Sequence, residues 1–414
     1  MKRVSAPPGF FYGHIIVLMA FLLQAIGWGV FNSMGVFFKP FVDEFGWSRA
    51  LISSVFSFAM LVCGVSSILQ GRLSDRVGPR IVMAVGGVFL GTGYLLMSRV
   101  SDVWQLYLYC TFMVGFGISG TDVVMLSTTS RWFVRFRGLV TGIAKVGTGV
   151  GMLVMPLFLN WLIHRYGWRT AFLDIGILSL LVYICLAQFV VRDPGKMGLW
   201  PDNEIGDFPV SDSFAETGLR LVEAVRTLQF WLICAAYILA LFCVATVLLH
   251  LVPHVIDLGF STTSSAMILS TVGAVSILGR LVLGGMIDKI GSKAVLVICF
   301  SVLCMGLMWL QFSHRIWMLV VFACLHGFAH GGFFAIVAPL TAEFFGTRSH
   351  GELFGVITFA STIGAAVGPV LAGMMYDSTG SYRLIFGLLA GASVAGLVIA
   401  VLLRKNEIEK AHKD

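Results

Sequence analysis

Charge is what this chain has least of. Only 12% of its 414 residues are Asp, Glu, Lys or Arg, against 58% hydrophobic residues, 34 Phe among them. A soluble domain carries about 25% charge, so this chain has no polar coat to offer water. Also missing is any Gly-x-x-x-x-Gly-Lys-Ser/Thr loop, which excludes a P-loop nucleotide motor. None of the eight cysteines forms a CxxC pair, and all eight fall in apolar runs. That spacing predicts neither a disulfide framework nor a metal site, and small, polarizable packing residues instead. No cofactor and no enzymatic chemistry are expected.

What the chain has is long oily runs. A membrane-crossing helix needs roughly 20 apolar residues. Hydropathy predicts twelve such spans: 13–38, 48–70, 80–99, 104–130, 138–160, 169–191, 228–252, 264–285, 293–312, 316–344, 352–374 and 383–403. Met1, Lys2 and Arg3 precede a run too long for a signal core, so it is read as the first span, with the N-terminus in the cytoplasm. With that orientation, 19 Lys and Arg fall on the cytoplasmic side and 7 on the other. This is the positive-inside bias of a helical membrane protein. The net charge of +7 is therefore a topology signal and no sign of a nucleic-acid partner.

Residues 192–227 form the single long polar stretch and read as a cytoplasmic linker between halves 1–191 and 228–414. The halves repeat each other at a fixed offset of 213 residues. GRLSDRVGPR (71–80) follows span two and GGMIDKIGSK (284–293) follows span eight, aligning Asp75 with Asp288 and Gly78 with Gly291. The same offset pairs Pro156 with Pro369, Pro40 with Pro253, and EFGWS (44–48) with DLGFS (257–261). The expected architecture is all-α: twelve transmembrane helices in two pseudo-symmetric six-helix bundles, with a substrate site between them near midplane.

GRLSDRVGPR resembles the loop signature of the major facilitator superfamily, Gly-x-Leu-x-Asp-Arg-x-Gly-x-Arg/Lys. The resemblance implies a gating element built from Gly71, Asp75, Arg76, Gly78 and Arg80, with Asp288 as the counterpart of Asp75. A narrower likeness follows. RWFVRFRGLVTGIAKVGTGVG (131–151) is similar to the helix-five signature of the monocarboxylate transporter family, through Trp132, Phe133, Arg135, Arg137, Leu139, Gly142, Ala144 and Gly147. GFG (115–117) and NSMGVFFKPF (32–41) resemble the family's helix four and the end of its helix one. That family implies a lysine proton acceptor in span one; Asn32 stands there and cannot titrate.

Ionisable groups inside spans cost about 2.5–3.5 kcal/mol each on insertion scales, so each needs a reason. Arg280 stands in VGAVSILGRLVLGGMID (272–288), eight residues before Asp288. Either it snorkels to cytoplasmic water, or its two-pronged guanidinium binds a carboxylate. The family resemblance implies the second role, because its helix eight carries an arginine at this place. The family's neighbouring aspartate, one turn earlier, is Ser276 here.

Lys145 in span five and Asp122 in span four either form a structural pair or take part in proton exchange. His250 in span seven and His326 and His330 in span ten are further proton-coupling candidates. Hydrogen bonding to a neighbouring helix is the plainer expectation for His326. Trp28 and Asn32, one turn apart, and Phe333 and Phe334 are expected to shape the pocket with Arg280, His250 and Lys145.

The expected activity is transport of a small monocarboxylate, such as L-lactate or pyruvate, together with a proton, by a monomer in the cell's inner membrane. The alternative is an anion exchanger of the oxalate–formate type. Those exchangers imply a helix-eleven lysine; ELFGVITFASTIGAAVGPVLAG (352–373) has none, and Thr358 mirrors Lys145.

Overall fold

A computed structural model describes residues 4–5, 11–133, 137–205, 218–346 and 349–404. Among them are twelve helices long and apolar enough to cross a membrane. They are α1 Gly13–Phe45, α2 Arg49–Ser74, α3 Pro79–Met97, α4 Val103–Trp132, α5 Leu139–Tyr166, α6 Trp168–Ala187, α7 Leu228–Asp257, α8 Thr262–Ile287, α9 Ser292–Leu310, α10 Ile316–Phe345, α11 Glu352–Thr379 and α12 Arg383–Leu402. At 1.5 Å per residue, even a 20-residue helix matches the roughly 30 Å hydrocarbon layer. Val4–Ser5 and Glu204–Ile205 add a two-residue antiparallel pair. The residues 206–217 of the expected linker lie outside the described residues.

Helix α1 runs seven residues past its expected end at 38. A tight turn at Met34–Phe37 rewinds the chain into a short helix, Phe38–Phe45, stapled by Lys39 and Asp43 at 2.8 Å. Polar residues on one side of that turn lowered the hydropathy without breaking the helix. Within α4 the segment Tyr107–Val114 is π-wound.

The repeat reappears in the backbone. Three glycine pairs, each 213 residues apart, take positive φ at the same places. They are Gly46 and Gly259 (65° and 90°), Gly78 and Gly291 (94° and 82°), and Gly167 and Gly380 (85° and 68°). Side chains rarely adopt these angles, whereas glycine does so freely. Each pair therefore sets an equivalent turn between helices.

The chain divides into two compact units, Met1–Pro209 with Leu248–Ala274, and Val210–Val247 with Val275–Asp414. In the first, α1 meets α5 backbone to backbone. A Cβ on Gly151 would strike the Ala25 carbonyl, and one on Gly29 would lie 2.6 Å from the Gly151 Cα. Small residues at such crossings let membrane helices approach closely. An aromatic core closes one end, with Phe37 stacked on Phe172 at 4.0 Å and Phe41 edge-on to Trp168 at 5.2 Å. The last turns of α7 and the first of α8 also belong here, α7 through a two-pronged ion pair of Arg49 and Asp257 at 2.8 Å. In the second unit, α7 meets α11 where a Cβ on Gly364 would strike the Ile238 carbonyl. Gly364 and Ile238 are the repeat partners of Gly151 and Ala25. Phe300 of α9 packs edge-on to Phe333 of α10 at 4.9 Å and fills the space above Gly396 of α12.

Candidate functional site

The close crossing of α1 and α5 brings polar side chains of the first unit within bonding reach. Lys145 and Thr148 stand three residues apart on α5 and share a face. Lys145 Nζ lies 2.5 Å from Asp122 Oδ1 of α4. The same oxygen accepts a bond from Gln24 Nε2 of α1, also at 2.5 Å. Gln24 Nε2 lies 3.4 Å from the Thr121 carbonyl, and Gln24 Oε1 accepts from Thr148 Oγ1 at 2.9 Å. One amide orientation satisfies all of these contacts, because the nitrogen must face the acceptors and the oxygen the hydroxyl. Thr121 Oγ1 bonds Tyr183 Oη of α6 at 2.9 Å, and the tyrosine also reaches the Leu23 carbonyl at 3.2 Å. Four helices are thus tied through one carboxylate and its neighbours. Gln24 is fully buried, while the side chains of Lys145 and Asp122 are 23% and 31% exposed.

In the second unit Arg280 is buried on α8, 8% exposed. It lies where α8 crosses α10. A Cβ on Gly331 would collide with the Ser276 carbonyl and lie 2.8 Å from the Arg280 amide, and one on Gly279 would collide with the Phe328 carbonyl. His330, beside that contact, is buried and packs on Phe334 at 5.0 Å. Its Nδ1 and both ring nitrogens of His326 have no hydrogen-bond partner among the described residues. The expected helix-to-helix bond of His326 is therefore not made; the ring packs on Phe322 at 5.5 Å instead. Phe333 is 1% exposed and points into the unit's aromatic core, whereas Phe334 is exposed.

His250 is fully buried in the first unit, 3.0 Å from Ser53 Oγ and against the Phe38 ring. Ser53 spends its single hydroxyl proton on the Arg49 carbonyl at 2.7 Å. His250 Nε2 is therefore the donor in the Ser53–His250 bond. Trp28 packs edge-on to Phe31 at 5.9 Å, and Asn32 is half-buried at the end of the first helical stretch of α1.

Of the expected gating residues, Gly78 holds its positive-φ turn ahead of Pro79. Gly71 packs on Val123 and Arg76 is exposed. Arg80 Nε donates to Gln188 Oε1 at 2.9 Å, tying α3 to the end of α6. The side chains of Asp75 and Asp288 lie outside the described residues, as does Arg135 of the helix-five signature. Trp132 and Phe133 of that signature are buried beside Phe11, and Trp132 Nε1 donates to the Val191 carbonyl at 2.8 Å. Their work is packing at a helix end.

A family model described as Major Facilitator Superfamily matches residues 17–293 and again 233–414. The chain belongs to this superfamily. It is a transporter, not an enzyme, and an integral membrane protein. Among similar proteins, monocarboxylate transporter 13 of Rattus norvegicus is 29% identical over 408 residues, covering 97% of this chain and 91% of the relative. Monocarboxylate transporter 11 of Homo sapiens is 26% identical, with 94% and 82% covered, and monocarboxylate transporter 12 of Mus musculus is 24% identical, with 98% and 88% covered. This facilitator also shares its fold with a bacterial homologue of the human lysosomal transporter Spinster, solved inward-facing and unoccupied. The TM-score is 0.68 at 17% identity, over 96% of this chain and 95% of that one.

In this facilitator, sequence reasoning paired Asp122 with Lys145 as one of two possibilities but missed Gln24, Thr148 and Tyr183. A single glutamine in an apolar run has no periodic signature. The signal available was a polar residue in an apolar run, one helical turn before Gly27.

Proposed function

We propose that this transporter moves a small monocarboxylate, such as L-lactate or pyruvate, together with one proton, across the cell's inner membrane by alternating access, as a monomer with both termini cytoplasmic. The observation that carries the reading is Arg280, a guanidinium buried in a membrane helix of a chain that resembles monocarboxylate transporters throughout. A planar fork of donors matches a carboxylate two bonds at a time.

Charge supports the proton. Carrying an anion alone into a cell at −100 mV is opposed by about 2.3 kcal/mol, and a co-transported proton cancels that term. The Asp122–Lys145 pair is neutral as a unit, so Arg280 supplies the excess positive charge, which one monoanion balances. A dicarboxylate would call for a second cation, and α11 provides none. The charge bias of the loops, 19 against 7, supports the orientation.

The test is uptake of labelled lactate, pyruvate, acetate and oxalate into proteoliposomes, with and without an inward pH gradient. Symport requires uptake of a monocarboxylate that rises with the gradient. Uptake that ignores the gradient and depends on internal anion would establish exchange instead. Arg280→Lys and Arg280→Gln are expected to weaken the apparent affinity roughly ten- to a hundredfold, the worth of one or two bonds to a charged group. Wild-type affinity in both variants removes Arg280 from the site.

A further inference from the structure

The geometry around Asp122 singles out one of its two oxygens. Oδ1 receives both donors, the Lys145 ammonium and the Gln24 amide, each at 2.5 Å. Oδ2 makes no hydrogen bond among the described residues. The side chain is 31% exposed, whereas His250, His326 and His330 are 0–2% exposed. A proton carrier has to meet water; the three histidines do not, whereas the carboxylate and the Lys145 ammonium, 23% exposed, do, and of these two the carboxylate has an oxygen left open. Charged groups in membrane spans face the protein interior or a wet cavity rather than lipid, so the open oxygen faces such a space.

Resting on the symport reading above, we propose that Asp122 is the proton-binding group, taking the proton on Oδ2, and that Gln24 is a positioning residue that keeps the carboxylate in place while Lys145 comes and goes. The bookkeeping is simple. A proton from water forms an O–H bond at Oδ2, and that bond breaks again when the proton leaves on the other side; no electrons change hands. Protonation removes the negative charge that holds the ammonium, so the Asp122–Lys145 unit passes from neutral to +1. One monoanion then returns the site to the net charge it had before the proton bound. Proton binding thereby favours anion binding, and by linkage the anion favours the proton.

Gln24 suits the positioning role because its own orientation is fixed. Thr148 Oγ1 donates to Oε1, so Nε2 faces Asp122 and the Thr121 carbonyl. A neutral N–H remains a donor whether or not Lys145 is engaged. Among the described residues, the ionisable groups of the neighbouring helices that feel this carboxylate are Cys63 of α2 and Tyr183 of α6. Tyr183 is held by Thr121 and the Leu23 carbonyl.

The experiment compares wild type with Asp122→Asn, Gln24→Leu and Thr148→Val in proteoliposomes, using whichever of the four acids is best transported. Two readouts are taken: uptake driven by a pH gradient, and counterflow of label against internal substrate, which needs no net proton movement. Asn mimics the protonated carboxylate and cannot release a proton. Asp122→Asn should lose at least tenfold of gradient-driven uptake and keep counterflow. Gln24→Leu strips the carboxylate of its neutral donor, and half-maximal gradient-driven uptake should shift by about one pH unit. Thr148→Val, which frees the amide to turn, should move the same way by less.

A proton-coupled wild type with an equally coupled Asp122→Asn overturns the assignment and leaves symport standing. A wild type that exchanges substrate without proton movement overturns both. If Asp122→Asn does not reach the membrane, unchanged pH profiles in both other variants overturn the proposal on their own.

Discussion

Removing Asp122 alone from the Asp122–Lys145 pair should cost more than removing both partners. The perturbations are Asp122→Asn, Lys145→Met and the double variant. Exposed ion pairs contribute about 0–1 kcal/mol, and breaking a buried pair on one side costs about 3–5 kcal/mol. With side chains 23% and 31% exposed, this pair lies between those limits, so Asp122→Asn should destabilise by about 2 kcal/mol. Lys145→Met should cost less, about 1 kcal/mol, because the stranded carboxylate still holds the Gln24 amide. The double variant strands no charge, and it should recover about 2 kcal/mol relative to the sum of the singles. The assay is apparent thermal unfolding of the purified protein in nanodiscs, followed by intrinsic tryptophan fluorescence. For chains of 150–250 residues 1 kcal/mol moves Tm by about 2–4 °C; for 414 residues the scale is smaller, so Asp122→Asn should lose about 3 °C. Effects that add to within about 0.5 kcal/mol, or a larger loss in Lys145→Met than in Asp122→Asn, would refute the coupling.

Two further outcomes follow from packing and from charge at the helix ends. Gly151→Ala and Gly364→Ala each place a Cβ on a facing carbonyl and should cost about 1–3 kcal/mol, read as the fraction surviving heating on size exclusion. Gly355→Ala meets nothing within 4 Å and should be neutral or gain up to about 1 kcal/mol. Asp257→Asn breaks the two-pronged bond to Arg49 at a cost of about 1 kcal/mol, measured as a drop in Tm, and the charge swap Arg49→Asp with Asp257→Arg should recover most of it.

Much of the fold was legible in the sequence, because a membrane imposes one strong rule: a helix that crosses lipid must be apolar for about twenty residues. Helix ends were less legible: α1, α5, α7 and α11 run five to seven residues past their expected ends, in α1 because Lys39, Asp43 and Glu44 lower the hydropathy while the helix continues to Gly46. The 213-residue offset was legible because glycines at positive φ leave few alternatives. The site was less so. Asp122 and Lys145 drew attention because charge inside a span is costly, but a charge announces itself without announcing its partner. Gln24 is costly only once its burial is known. Trp132 and Phe133 carried the family likeness and proved to be packing residues, since a helix end needs a particular shape as much as a pocket does.

The matching crossings at Gly151 over Ala25 and at Gly364 over Ile238 bear on how this protein can change over time. The backbone plan is duplicated, yet the polar groups are not: where the first half has Gln24, Asp122 and Lys145, the second has Tyr237, Ala335 and Thr358, and Arg280 answers to Ser67. Each scaffold is constrained by the glycines at its crossings, where a Cβ would strike the facing backbone, while the ionisable positions were free to diverge separately in each copy. New specificities in such a chain should therefore arise by exchanging single side chains between equivalent positions of the halves, with the crossings unaltered. Thr358→Lys, which copies Lys145 into α11, is the simplest such exchange to build.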